Sequence, residues 1–160
     1  MISYFEVDNN YGLSYHAYRL SNYYTLYVKL TSRSEYALLA LVYLARRNSA
    51  GFISIETIAS AQHIPPKFLE QILLALKRAK YVRSCKGQHG GYCLAKPSQK
   101  ISLAEIVRLF DGALAPTDSV SENFYEPTPV EREKSLIRVF KEIRDYVSDK
   151  LETTSLADVT

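Results

Sequence analysis

Cysteine and long apolar runs are both scarce in this sequence of 160 residues, and each shortage excludes a class of protein. The two cysteines, Cys85 and Cys93, are too few for a disulfide framework or for a four-thiolate metal site. No apolar run approaches the roughly 18 residues that span a bilayer, and the N-terminus lacks the basic start and apolar centre of a signal peptide. We therefore expect a cytoplasmic protein without membrane association, in which thiol chemistry is at most a local switch.

Histidine is also rare, and His16, His63 and His89 stand far apart without the spacing of metal ligands. An enzyme using Cys85 as nucleophile and His89 as base would need a third group that orients the base. No such group and no oxyanion-forming motif accompanies the two residues. The sequence therefore predicts neither a metal site, nor a cofactor, nor an enzyme.

Positive charge is concentrated in the middle of the chain, although the net charge is only +3. Residues 29–96 carry 11 Lys and Arg against 3 Asp and Glu, whereas residues 97–160 carry 8 against 12 and residues 1–28 carry 1 against 2. A basic block between acidic flanks is typical of a surface that faces double-stranded DNA. A protein-interaction module whose basic face docks an acidic partner is the alternative. A salt titration with nonspecific DNA separates the two, because backbone binding weakens log-linearly as salt rises.

Three helices are predicted in the basic block, over about residues 32–48, 54–62 and 66–80. Ser32 makes a capping box with the glutamate three residues later, and a serine at the start of the second helix can cap it in the same manner. Pro66 opens the third helix, because the missing N–H of proline would be unpaired at the first helical position anyway.

A β-hairpin follows directly, with short strands predicted at 81–85 and 92–95 and a loop with three glycines between them. Two helices with a tight turn, followed by a hairpin, form the layout of a winged helix-turn-helix domain. In that layout the second helix of the pair lies in the major groove of DNA and the hairpin forms the wing. Ser102 makes a further capping box at the start of a fourth helix, which Gly112 can terminate.

The chain is accordingly predicted to be mainly α-helical with a small β-hairpin wing, in four segments. They are an irregular N-terminal extension at 1–28, which holds seven of the 13 tyrosines, a winged helix-turn-helix domain at 29–112, a loop at 113–130 and a dimerisation helix with its tail at 131–160. The helix itself is expected from Glu131 to about Glu152.

The C-terminal helix is predicted to pair two copies of the chain. Its apolar residues recur at intervals of four, three and four, and they are Leu136, Phe140, Ile143 and Val147. Such spacing is that of a coiled-coil-like seam. The alternative is that the stripe docks on its own domain, which is a common reason for a helix to be amphipathic. Because the helix-turn-helix order leaves few surfaces free for a further long helix, we expect a homodimer.

The third helix has one apolar face and one polar face. Its candidate DNA contacts are Lys67, Glu70, Gln71, Lys77 and Arg78. Lysine suits phosphate, glutamine makes paired hydrogen bonds to adenine, and glutamate accepts from the cytosine amino group. An acidic side chain weakens nonspecific attraction, so base reading explains Glu70 better than backbone binding does. The alternative is a solvated partner of a basic residue one turn away.

The wing carries the candidate DNA contacts Lys86, Gln88 and His89. Its glycine-rich tip can approach a narrow minor groove, where the enhanced negative potential attracts a cation. Glycines in a hairpin often serve turn geometry alone, so the loop by itself is weak support. Cys85 and Cys93 flank the wing, where a redox switch would move Lys86 out of the groove. The alternative is that a free cysteine in a strand is a small buried hydrophobe.

Six short segments form a recognisable pattern, and they are KLT at 29–31, EYAL at 35–38, FLEQI at 68–72, GQHGGYCLA at 87–95, ISL at 101–103 and DG at 111–112. On these segments the sequence resembles, over about residues 28–159, the Rrf-two, or BadM/IscR-like, winged-helix regulators of bacteria. The resemblance implies that Glu70 and Gln71 read bases, that Lys67 holds phosphate, and that Lys86 replaces the family's wing arginine in the minor groove. Lysine keeps the charge but loses the planar fork, so we expect weaker selectivity for groove width.

Several members of that family hold an iron-sulfur cluster on three cysteines in the loop after the Asp/Glu-Gly pair. Residues 113–160 of this chain contain no cysteine and no histidine. The resemblance therefore implies the cluster-free branch, regulated by a partner protein or a small effector. The expected function is that of a transcription regulator, specifically a repressor that binds a palindromic operator as a homodimer.

Family members usually begin with a methionine just before Lys-Leu-Thr, and Val28 stands in that place here. A GTG start codon that is read internally appears as valine. Our hypothesis is that Val28 is the true start and that residues 1–28 are a mis-called leader, which N-terminal sequencing of the native protein tests.

Overall fold

A computed structural model of the chain describes residues 30–87, 90–122 and 124–160, so the extension predicted at 1–28 lies outside the described residues. The helices and strands are α1 (Ser32–Arg46), α2 (Ile55–Gln62), α3 (Pro66–Arg78), β1 (Val82–Cys85), β2 (Gly91–Leu94), α4 (Leu103–Asp111) and α5 (Lys134–Thr153). The expectation of a mainly helical chain with one small antiparallel hairpin is confirmed. Within the described ranges, none of these helices has the length and apolarity needed to cross a bilayer.

The start of α1 is set by a contact with the end of α4. Thr31 is the N-cap, and its hydroxyl accepts from the Ser34 backbone N–H at 3.5 Å, whereas Ser32 is already helical. The predicted capping box of Ser32 with Glu35 is therefore wrong. The Asp111 carboxylate accepts from the Thr31 N–H at 3.1 Å and from the Thr31 and Ser34 hydroxyls at 2.5 Å each. A carboxylate beside a helix N-terminus complements its unpaired N–H groups, so this distant residue stabilises the helix start at which Thr31 is the cap.

The other predicted helix caps are confirmed. The Ser54 hydroxyl accepts from the Thr57 N–H at 3.2 Å at the start of α2. Ser102 and Glu105 form the capping box of α4, with hydrogen bonds of 3.2 Å and 3.0 Å. Gly112 ends α4 with φ 82, a left-handed value that glycine adopts at little cost. The serine caps are hydrogen bonds between groups within three residues of one another, and the end of α4 depends on the conformation of a single glycine. Sequence alone is therefore sufficient to predict these helix ends.

One apolar core is shared by the first four helices. α1 packs against α2, α3 and α4, and α2 packs against α3. The largest fully buried side chains include Leu41, Leu44, Ile58, Leu69, Ile72, Leu73, Leu76, Ile101, Ile106 and Leu156. Burying one such side chain stabilises the fold by roughly 1.5–3 kcal/mol. Since α3 supplies four of them, its orientation on the domain is strongly fixed.

The end of the chain returns to this core after α5. The Leu103 N–H donates to the Thr154 carbonyl at 3.0 Å, and the Leu156 N–H donates to the Ile101 carbonyl at 2.7 Å. The Leu156 side chain is 0% exposed and lies in the same apolar cluster as α1 and α3. The tail that the sequence grouped with the dimerisation helix therefore contributes to the core of the preceding domain.

α5 begins at Lys134 rather than at Glu131, because a short 3-10 turn at Pro129–Arg132 precedes it. The Arg108 guanidinium on α4 holds one side of α5 by donating to the Ser148 hydroxyl at 3.1 Å and to the Glu152 carboxylate. This pairing holds the pKa of Glu152 below its usual value. One side of α5 is thus attached to its own chain.

Leu156→Ala tests whether the tail is part of the core. We expect it to lower the free energy of unfolding by about 2–5 kcal/mol, because it removes a fully buried side chain and leaves a cavity. Urea unfolding followed by circular dichroism measures the change. Val159→Ala, at a position in the same tail that is 38% exposed, is the control and should change stability little. Equal effects of the two substitutions would contradict the packing described here.

Candidate nucleic-acid interface

A tight turn between α2 and α3 sets the angle between these two helices. His63 ends α2 in the left-handed conformation, with φ 53. Ile64 follows as a buried anchor that is 3% exposed, and its N–H donates to the Ala59 carbonyl at 3.0 Å. Pro66 then occupies the first turn of α3, as the sequence predicts. The histidine therefore belongs to the turn.

α3 has two faces of opposite character. Its apolar face is buried, and its members are Leu69, Ile72, Leu73 and Leu76. All five candidate DNA contacts on the helix are exposed, and they are Lys67, Glu70, Gln71, Lys77 and Arg78. Three cations and one anion stand on this exposed face, so its net charge is positive. The side chains that the sequence grouped together are thus on one accessible surface.

The C-terminal end of α3 is joined to the wing. The Lys77 ammonium donates to the Ser84 hydroxyl on β1 at 2.6 Å. The Tyr81 N–H, just before the strand, donates to the Leu76 carbonyl at 2.9 Å. Lys77 therefore stands where the helix and the wing meet, and the two elements have a defined relative position.

The second strand of the wing is also bonded to the segment before α2. β1 and β2 pair antiparallel, with Val82 opposite Leu94. Ile53 and Tyr92 exchange two backbone hydrogen bonds, of 2.9 Å and 2.8 Å. Lys86 is exposed directly after β1, whereas Gln88 and His89 lie outside the described residues. The wing thus presents at least one cation beside the exposed face of α3.

Gly91 makes the close approach of the wing to Ile53 possible. Its φ is +151, and a Cβ at this position would lie 2.2 Å from the Ile53 carbonyl oxygen. Real Cβ atoms do not approach backbone oxygen so closely. Of the wing glycines, this one is therefore required by a tertiary contact as well as by backbone conformation.

The two cysteines occupy different environments at the wing. Cys93 is 7% exposed and accepts from Arg83 Nε at 3.0 Å, whereas Cys85 is exposed. Cys93 stands opposite Arg83 and Cys85 stands opposite Gly91, so the cysteines are diagonal neighbours. Diagonal neighbours in a sheet lie about 7–8 Å apart and their Cβ atoms somewhat less, whereas the Cβ atoms of a disulfide lie about 3.5–4.5 Å apart. The register does not favour a disulfide within the wing, and Cys93 has the burial of a small hydrophobe.

Arg83 is a cation to which sequence reasoning assigned no role. It is exposed on β1, and its guanidinium lies 5.7 Å from the centre of the Phe52 ring. The alternation of β1, in which Val82 is buried and Arg83 exposed, is the pattern that could have identified it. The basic surface at the wing therefore includes Arg83 as well as Lys86.

Comparison with known proteins gives a consistent family. Residues 30–160 match the Rrf2 family model, whose description is iron-dependent transcriptional regulator. The chain is 34% identical over 133 residues to protein rrf2 of Nitratidesulfovibrio vulgaris, covering 82% of this chain and 87% of that protein. It is 28% identical over 132 residues to the HTH-type transcriptional regulator CymR of Bacillus subtilis, covering 82% and 89%.

Solved structures agree with the sequence matches. The structure of CymR, the global cysteine regulator of B. subtilis, aligns with a TM-score of 0.67 at 29% identity, covering 82% of this chain and 95% of that one. IscR of T. potens aligns with a TM-score of 0.64 at 25% identity, covering 82% and 85%. These likenesses confirm the winged-helix fold.

The iron in the family's description does not fit the residues that the structure describes. Among the described residues, no three Cys, His, Asp or Glu side chains lie close enough together to hold a metal ion. The region after Gly112 instead forms a small cavity lined by Arg108 and Arg144, and the Arg144 side chain is only 16% exposed. Iron-sulfur clusters need thiolate or imidazole ligands, and fixed guanidinium groups repel a cation. We therefore assign no iron-dependent step to this chain.

Gly91→Ala tests the attachment of the wing. It should destabilise the protein more than Gly87→Ala does, because both positions have positive φ but only at Gly91 does the added Cβ meet backbone atoms. Chemical unfolding compares the two variants, and proteolysis within the hairpin reports loosening of the wing. Equal stability losses would show that the contact with Ile53 is unimportant.

Proposed function

Because the chain belongs to the Rrf2 family of transcriptional regulators, we propose that it binds a palindromic DNA operator as a homodimer and represses the adjacent gene. The observation that carries the proposal is the exposed polar face of α3 beside the wing. An α-helix fits the major groove of B-DNA, and a wing of this kind reaches the adjacent minor groove. A dimer bound across a promoter excludes other proteins from it, which favours repression.

The proposed contacts divide into three kinds. Glu70 and Gln71 read base edges, because carboxylate and amide groups match the amino groups of cytosine and adenine. The phosphate contacts are Lys67, Lys77 and Arg78, which are exposed cations on the same helix. Lys86 enters the minor groove, and Gln88 and His89 remain candidates on the same wing by their place in the sequence. The anion Glu70 then confers specificity at some cost in nonspecific affinity.

The dimer contact is proposed for α5, which carries one wide apolar arc. One edge of the arc is half-buried against the rest of the chain, and its members are Ile137, Phe140, Val147 and Leu151. The other edge is exposed, and its members are Leu136, Val139, Ile143 and Tyr146. The predicted seam falls between the two edges, with Phe140 and Val147 on the half-buried edge and Leu136 and Ile143 on the exposed one.

Exposed apolar side chains in a continuous row are typical of an interaction surface. We propose that the exposed edge of α5 packs on the same edge of a second copy in a two-fold arrangement. Two copies of α3 then face half-sites about one helical turn of DNA apart, or a multiple of that, which accounts for a palindromic operator. We further propose that a partner protein or a small effector regulates the dimer.

Ile143→Lys tests the dimer contact. It should make the protein monomeric at concentrations where the wild type is dimeric, because it places a charge in an apolar contact. Glu142→Lys, on the polar side of the same helix, is the control and should leave the dimer intact. Sedimentation equilibrium measures the association of each variant. An unchanged dimer in Ile143→Lys would remove α5 from the interface.

Glu70→Ala and Lys86→Ala test the division of contacts. Loss of Glu70 should reduce the affinity ratio of operator to random DNA by about 5- to 150-fold, the effect of about 1–3 kcal/mol of lost base discrimination. Loss of Lys86 should weaken binding to both DNAs alike and lower the slope of log affinity against log salt by about one.

Fluorescence anisotropy titrations at several salt concentrations measure these quantities. Lys141→Ala, which removes an exposed lysine from the polar side of α5, is the matched control and should leave both the ratio and the slope unchanged. The assigned division of contacts is wrong if Glu70→Ala, like Lys86→Ala, weakens binding to operator and random DNA alike and leaves their affinity ratio unchanged.

A further inference from the structure

We infer that Leu74 reads thymine in the operator by covering its 5-methyl group, an inference that rests on the proposed function. Leu74 lies on α3, and its side chain is 37% exposed. With about 3.6 residues per turn, it points away from Leu69 and Leu76, which are both 0% exposed. It is therefore an apolar side chain on the exposed face of the helix.

The neighbours of Leu74 on this surface are polar. The nearest exposed side chains along the helix, at three, four and seven residues, are Lys67, Glu70, Gln71, Lys77 and Arg78. Two of the five precede Leu74 by one turn and two follow it by one turn, so the leucine stands at the centre of the proposed DNA-binding face. Single exposed leucines are common on protein surfaces. This one differs in its place, since every residue around it is proposed to contact DNA.

The chemistry of the major groove restricts what Leu74 can contact. Base edges there present nitrogen and oxygen acceptors, amino donors and one apolar group, the 5-methyl of thymine. A leucine pressed against a donor or acceptor would remove its water without replacing the hydrogen bond, which costs free energy. Contact with a thymine methyl instead buries apolar surface on both sides. The same side chain thus favours thymine and disfavours the other bases.

The position of the thymine follows from the geometry of α3. Leu74 follows Gln71 by three residues, or about 4.5 Å along the helix axis at 1.5 Å per residue. Successive base pairs are about 3.4 Å apart. We therefore place the thymine at a base pair neighbouring the one that Gln71 contacts, once in each half-site.

Replacement of thymine by uracil provides the test, because it removes the methyl group and keeps the hydrogen-bonding pattern. The wild-type protein first selects its operator from a pool of random duplexes. Each thymine of that operator is then replaced in turn by deoxyuridine, and the affinities are measured by anisotropy. We expect one symmetry-related pair of positions at which loss of the methyl weakens wild-type binding about fourfold per half-site, the effect of one buried CH₂-sized group.

Leu74→Ala should abolish this difference between thymine and uracil while still binding the operator. Because Leu74 lies outside the core, the variant should unfold at the wild-type denaturant concentration, which circular dichroism checks. Leu39→Ala removes a leucine that is 41% exposed on α1 and is the matched control. It should retain the wild-type ratio of affinities for the thymine and uracil duplexes.

Two results would overturn the inference alone. One is a wild type that selects an operator but binds every uracil-substituted duplex as well as the original. The other is a Leu74→Ala variant with the wild-type thymine-to-uracil ratio. A wild-type protein that selects no sequence from the random pool would instead overturn the proposed function, and the role of Leu74 with it.

Discussion

Burial of the apolar face of α3 is the constraint on which the rest of this structure depends. Four large side chains of that helix lie in the core, so the helix cannot rotate without exposing them at a cost of several kcal/mol. The polar face is therefore turned outward by the requirements of the core. The same packing that buries the apolar face of α3 in the core therefore exposes the polar face that we propose for DNA binding.

The remaining contacts hold this helix and the wing in a defined relation. Lys77 bonds to β1, the wing bonds to Ile53 before α2, and Asp111 joins the end of α4 to the start of α1. Most of these bonds join parts of the chain that are distant in sequence. A binding site requires side chains placed to within a fraction of an ångström, and such cross-links give that rigidity to the DNA-binding face that we propose on α3 and the wing.

The region after α4 is organised by two arginine guanidinium groups. Arg108 pairs with Glu152, and Arg144 pairs with Glu122. These ion pairs attach α5 along one side and leave its other apolar edge exposed. The exposed edge of α5 is therefore available for the contact between two copies that we propose.

The sequence by itself determined the order of elements, the winged-helix layout and most of the helix ends, because these depend on periodicity and on bonds between near neighbours. Pro66, Ser54, Ser102 and Gly112 act within three residues of their own positions. It also assigned the polar residues of α3 to one face, since helical geometry alone places them there. Only the tertiary structure decided the contact of Asp111 with the start of α1, the return of Leu156 to the core and the edge of α5 that stays exposed. Each of these depends on which distant side chain covers a surface, and local periodicity carries no information about that.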